Sequence, residues 1–191
     1  MYFAIKDTGP DSEYIDNWTD KMDLLCESRV MIGLLGFSFF LGVVLALVLV
    51  PFLAELHGKK SVFLISIAFS IVGQAGLLFL ADGIKVAILF MFLIGATWPG
   101  KKVVGQSYIL DFFPIKYQGL RILMFSLFDY PSILLISLSY QYLDRSWYNQ
   151  QLTGMILSCI CLLYVYFIVP ESPKHLYLRS KFDESRAAIE Y

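Results

Sequence analysis

The stretch Pro51-Phe52-Leu53-Ala54-Glu55-Leu56-His57-Gly58-Lys59-Lys60 decides how this chain is read. It carries the charges that separate two long apolar runs, Val30–Ala54 and Ser61–Ala81, which hold 25 and 21 residues without a charge. Each reaches the roughly 20 apolar residues that take a helix across a hydrocarbon core. The stretch is therefore expected to be a turn between two membrane spans. Its paired lysines place that turn on the cytoplasmic side.

The same pattern recurs along the chain. Apolar residues make up 58% of the 191, charged residues only 16%, and the mean hydropathy is +0.65. An average soluble domain has about 25% charged residues. A net charge of −1 gives no electrostatic case for nucleic acid. Further spans are expected, giving five in all, near 30–54, 61–81, 86–111, 120–143 and 151–169. An acidic tail, 1–27, precedes this transmembrane domain of 28–170, and a charged tail, 171–191, follows it. The fold class is all-α, a polytopic membrane helix bundle. The apolar segment expected of a cleaved signal peptide does not follow Met1.

Orientation follows from the basic residues. With the Gly58 turn inside, the inner segments hold Lys59, Lys60, Lys116, Arg121, Lys174, Arg179, Lys181 and Arg186. The outer ones hold Lys6, Lys21, Arg29, Lys85 and Arg145. The bias predicts an outer N-terminus and an inner C-terminus. Asn17-Trp18-Thr19 is then an N-glycosylation acceptor at Asn17. Small residues at Ser38, Gly42 and Ala46, and at Ser66, Ser70 and Gly73, form stripes suited to close helix packing. The first stripe is also a possible surface for a second copy.

Three charges fall inside spans: Lys101, Lys102 and Asp129. Ionisable groups there are costly and mark pathways or paired charges. From the helical rise, Lys101 lies about 22 Å below Val86 and Asp129 about 12 Å above Arg121. In a core of about 30 Å these depths nearly coincide, so an ion pair between the two helices is expected. One lysine would line a polar path and the other snorkel toward the headgroups. Two lysines on such a path would favour anions. Trp98-Pro99-Gly100, just before them, should kink or loosen the third span.

Leu53-Ala54-Glu55-x-x-Gly58-Lys59-Lys60 resembles G-x-L-A-D-R-x-G-R-K, the signature between the second and third helices of major facilitator superfamily transporters. Pro51 stands where the first Gly is usual, Glu55 for Asp and Leu56 for Arg. Pro170-Glu171-Ser172-Pro173-Lys174-His175-Leu176 looks like the P-E-S-P-R-W-L that follows the sixth helix in sugar porters and organic ion transporters. Met22-Asp23-Leu24-Leu25-Cys26 is similar to the W-D-L-V-C before the second helix of organic cation and anion transporters. Gly95, Gly100, Gly105, Asp111 and Pro114 resemble the fourth helix. The chain would then hold helices two to six, part of the N-terminal half. The family's intramembrane Arg in the fourth helix is Met91 here.

The resemblance implies a cytoplasmic gate built from Glu55, Gly58, Lys59, Lys60, Asp111 and Glu171, in which Lys59 or Lys60 bridges the two later acids. It implies transport of a small organic ion or solute by a truncated secondary transporter. The alternative is a non-transporting structural or accessory subunit. Five helices supply part of one half of the fold, so the chain alone is expected not to transport. A second bundle, from a homo-oligomer or a larger membrane complex, is the expected partner besides the lipid bilayer. The plasma membrane is the expected location, with an organellar membrane the alternative. No catalytic triad, metal-ligand spacing or cofactor loop accompanies His57, His175 or the three cysteines, so neither an enzyme nor a cofactor is expected.

Overall fold

The computed structural model describes residues 27–81, 83–113, 115–142 and 146–190. Asn17, the acidic tail up to residue 26, Asp82, Pro114 and Asp144-Arg145 lie outside the described residues. Helix α1 runs from Arg29 to His57, α2 from Lys59 to Phe79, and α3 from Ile84 to Leu110. A 3-10 turn, Ile115–Tyr117, leads into α4, Gln118–Tyr142. Helix α5 is Trp147–Phe167, and two short helices, α6 (Pro173–Leu178) and α7 (Phe182–Glu190), follow it. Among the described residues, α1 to α5 each contain a segment long and apolar enough to cross a membrane. The bundle is all-α.

The charged stretch at 51–60 is not a ten-residue turn. Helix α1 continues through Pro51 and Glu55 as far as His57, and α2 starts at Lys59. No glycine interrupts 51–57, and a proline in a membrane helix is tolerated where neighbours satisfy the freed backbone groups. The reversal is compressed into Gly58, whose φ of +100° is open to glycine and costly for residues with a Cβ.

Helix α3 is the centre of the bundle, clasped between α1 and α2. A Cβ built on Gly42 of α1 would lie 2.4 Å from the Phe92 carbonyl oxygen, and one on Gly95 of α3 2.1 Å from that of Phe39. Backbone therefore packs directly on backbone, and Ser38 and Ala46 are buried on the same face. The Ser38-Gly42-Ala46 stripe is consumed inside the chain and offers no surface to a second copy. The α2 stripe meets the other side of α3: Ser66 packs over Gly100 and Gly73 against Ile94. Without a hydrophobic force between helices in lipid, such close approach supplies the attraction. Val48, Leu89 and Leu163 point outward and are well exposed, as a lipid-facing surface requires. Helix α4 stands at the rim, with its apolar residues exposed along its length.

Replacing Gly42 or Gly95 with Leu should separate α1 from α3. The expected loss is at or above the upper end of the about 1–3 kcal/mol typical of overpacking, seen as a lower midpoint in thermal unfolding of the detergent-solubilised protein. Gly33→Leu, where a Cβ meets nothing within 4 Å, should leave the midpoint near wild type.

Candidate functional site

Helix ends converge at Gly58, and each brings unpaired backbone groups. Gly58 has no side chain with which to cap α2. Glu171, far along the chain, supplies the cap: its Oε1 accepts the backbone N–H of Lys60 at 3.0 Å and that of Ser172 at 3.0 Å. A carboxylate at a helix N-terminus also meets the positive end of the helix dipole. Its Oε2 lies 3.0 Å from where a Gly58 Cβ would stand, and His175 Nε2 3.3 Å from it. Gly58 is thus required twice, by its dihedral angles and by the closeness of Glu171.

Asp111, at the foot of α3, does the second job. Its Oδ2 accepts Lys59 Nζ at 2.6 Å and also the Ser172 hydroxyl. Lys59 further donates to the Ser107 carbonyl at 3.4 Å. Ser172 is fully buried and also caps α6, accepting the His175 N–H at 3.3 Å with Pro173 at the first helical position. Cations satisfy the C-terminal carbonyls: Arg179 donates to that of Leu56 and Lys60 Nζ to that of Tyr166 at 3.2 Å. Tyr108 donates its hydroxyl to the Pro170 carbonyl. Lys59 and Lys60 therefore divide the work, with Lys59 on Asp111 and Lys60 bonded to Glu171 through its backbone. Glu55 is exposed and lines a cleft with Lys59, Asp111, Lys174 and His175, without an ion pair among the described residues.

The second site is inside α3. After Pro99 the helix widens into a π segment, Gly100–Val104, before α geometry resumes at Gly105. Proline lacks the N–H of a regular helix, and a wider turn is one way to absorb the fault. Lys101 and Lys102 sit in this segment and leave α3 toward different neighbours. Lys101 Nζ donates to Ser70 Oγ of α2 at 2.7 Å, and that oxygen, fully buried, also accepts Gln74 Nε2 at 3.1 Å. Lys102 Nζ meets Asp129 Oδ2 of α4 as an ion pair. Lys101 is turned into the bundle onto a buried hydroxyl, whereas the Lys102–Asp129 pair lies at a partly exposed edge of it. A pocket of about 200 Å³ surrounds the pair, lined also by Gln106, Ser126 and Tyr130. Only Lys102 of the two lysines reaches it, and its charge is balanced by Asp129. A path along this pocket would thus meet one lysine and one carboxylate rather than two lysines.

Sequence reasoning missed Ser70, Ser172, Tyr108 and Arg179. Ser172 stood inside the Pro170–Leu176 motif, and Ser followed by Pro at the first helical position is a helix-start signal. Ser70 carried a signal only as a small residue in a stripe.

Gly58→Ala should strain the left-handed turn and crowd Glu171, costing about 1–3 kcal/mol. Gly83→Ala, in extended backbone with nothing within 4 Å, should be nearly neutral. Thermal unfolding of the two variants in detergent measures the difference.

A model of the Major Facilitator Superfamily matches residues 20–190. Solute carrier family 22 member 7 of Rattus norvegicus is 24% identical over 180 residues, covering 92% of this chain and 32% of that protein. Solute carrier family 22 member 3 of Mus musculus is 24% identical over 165 residues, covering 86% and 29%. The chain spans about a third of the length of the curated relatives it matches. Its helices are those of an integral, multi-pass membrane protein, and the family is one of transporters rather than enzymes. On the match over 20–190, together with the motifs that meet at Gly58, the chain belongs to the Major Facilitator Superfamily.

Proposed function

We propose that this bundle forms part of a secondary transporter for small organic ions or solutes. The observation that carries the reading is the Lys102–Asp129 pair, set in a pocket between two membrane helices. A charge pair within spans needs a reason beyond packing, because each member would be costly there alone. The pocket of about 200 Å³ between α3 and α4 leaves room for a small solute to part the pair. A substrate carboxylate would then take Lys102 and a substrate ammonium Asp129, each replacing one charge contact with another.

The names of the relatives, both solute carriers, support the same class. Transport by alternating access uses a second bundle against which the first rocks. A second copy of this chain or a further polypeptide would supply it. In this reading Gly58, Lys59, Lys60, Asp111 and Glu171 form the inner gate, with Glu55 at its edge. Their bonds fix the relative positions of α1, α2, α3 and the α6 segment, as a closed end requires. The Gly58 end faces the cytoplasm, Asn17 faces the outside, and the plasma membrane is the location.

Uptake into liposomes tests the site, using the protein in the oligomer or complex in which it is isolated. Lys102→Ala and Asp129→Ala should each lower saturable uptake of a labelled organic ion about tenfold or more. The exchange Lys102→Asp with Asp129→Lys should recover part of it. Uptake indifferent to all of these changes would remove the pair from the pathway. Orientation is tested separately, with Lys174→Cys in a background where the native cysteines are serine. A membrane-impermeant maleimide should reach it only after the cells are permeabilised; labelling of intact cells would invert the topology.

A further inference from the structure

We propose that the outer groove between α2 and α5 is a binding site for one membrane glycerophospholipid. An acyl chain would lie in the groove and the phosphate at Lys60. The groove holds about 400 Å³ and is lined by Leu64, Ile65 and Ala68 of α2 and by Leu162, Leu163 and Tyr166 of α5. Its walls are almost wholly apolar, and Ile65 and Leu163 are more than half exposed. Both helices are membrane spans, so the groove opens into hydrocarbon and an acyl chain matches its chemistry.

Lys60 fixes the headgroup end. Its Nζ donates to the carbonyl of Tyr166, a groove residue, at 3.2 Å in an exposed setting, from the adjoining cleft that Lys60 lines with Glu171 and Glu184. An ammonium has three donors, so this bond leaves others for a phosphate oxygen. Ser61, next in the chain, lines the groove and is exposed. The Tyr166 ring is exposed at the end of α5 and stacks edge-on to Phe167, with centroids 5.0 Å apart. An aromatic residue and a lysine together mark the level of the headgroups. From Lys60 to Ala68 the groove descends about 12 Å along the helix. The arrangement of a cation at the interface above an apolar cleft is that of a phospholipid.

The site is separate from the Lys102–Asp129 pocket but shares Lys60 with the Gly58 cluster, so its test reads bound lipid and not transport. Native mass spectrometry of the intact protein, released from detergent with added palmitoyl-oleoyl phosphatidylglycerol, reads the bound lipid. Wild type and Lys60→Arg should retain one lipid. Retention should fall about tenfold in Lys60→Gln, which loses a charged contact. It should fall similarly in Ala68→Phe, whose ring fills the groove. If Ala68→Phe fails to fold, Leu163→Ser tests the same wall at an exposed position. A diacylglycerol with the same chains should be held more weakly, and glycerol phosphate without chains not at all. Equal retention of phosphatidylglycerol by wild type, Lys60→Gln and the groove variants would overturn the site. So would loss in Lys60→Gln with undiminished retention in the groove variants, or binding of glycerol phosphate alone.

Discussion

Backbone groups without helical partners set the terms at the Gly58 end. Helix α1 stops at His57 and α2 begins at Lys59, so a single residue separates two sets of orphan groups. In a soluble protein water would take them. Near hydrocarbon each one left unmet is costly. Local bonds solve part of the problem: the Gly58 N–H bonds the Ala54 carbonyl at 3.1 Å, and His57 Nδ1 lies 3.3 Å from that of Leu53. The remaining partners come from the far end of the chain, through Glu171 and Arg179. Motif residues that look like a list of charges are largely helix caps exchanged between elements.

The middle of the bundle obeys a different rule. Small residues let α1 and α2 close on α3, and that closeness fixes where the α3 side chains can go. Gly100 passes over Ser66 because any Cβ would strike its hydroxyl. The next two residues, both lysines, lie in the π segment and reach Ser70 on one side and Asp129 on the other. Helix α4 is tied to its neighbours by the Lys102–Asp129 pair and by a bond from Gln150 of α5 to Ser139. The centre is close-packed, and an ion pair ties the rim to it.

Apolar run length made the five helices legible, because a span of hydrocarbon demands a fixed number of residues. Their ends were less legible. Glu55 and His57 read as a turn because they are polar, yet a helix may leave the core and continue, so α1 and α2 both extend into the charged stretch. The meeting of Lys102 with Asp129 could be anticipated from depth alone, since both helices rise at the same rate. Depth says nothing about azimuth, however. That Lys101 turns to Ser70 depends on the π segment, and no periodicity in the sequence announces a wider turn. The Gly58 cluster was readable as a set of residues but not as a set of bonds. Which carboxylate takes which lysine depends on where the helix ends stop.

The order in which the chain emerges during synthesis gives this architecture a history. The α1–α3 clasp joins Gly42 and Gly95, about as far apart along the chain as Lys59 and Asp111, and can form once α3 has been made. The bonds at the other end span 52 residues for Lys59 with Asp111, 111 for Lys60 with Glu171, and 123 for Arg179 with Leu56. At about 5–20 residues per second, Gly58 has already turned, with α2 uncapped by any side chain, for several seconds before Glu171 is made. Until then the reversal rests on dihedral angles that glycine permits and on local backbone bonds, Gly58 to Ala54 among them, while three further spans are made. The segment that carries Glu171 is then the bolt that locks a turn made well before it.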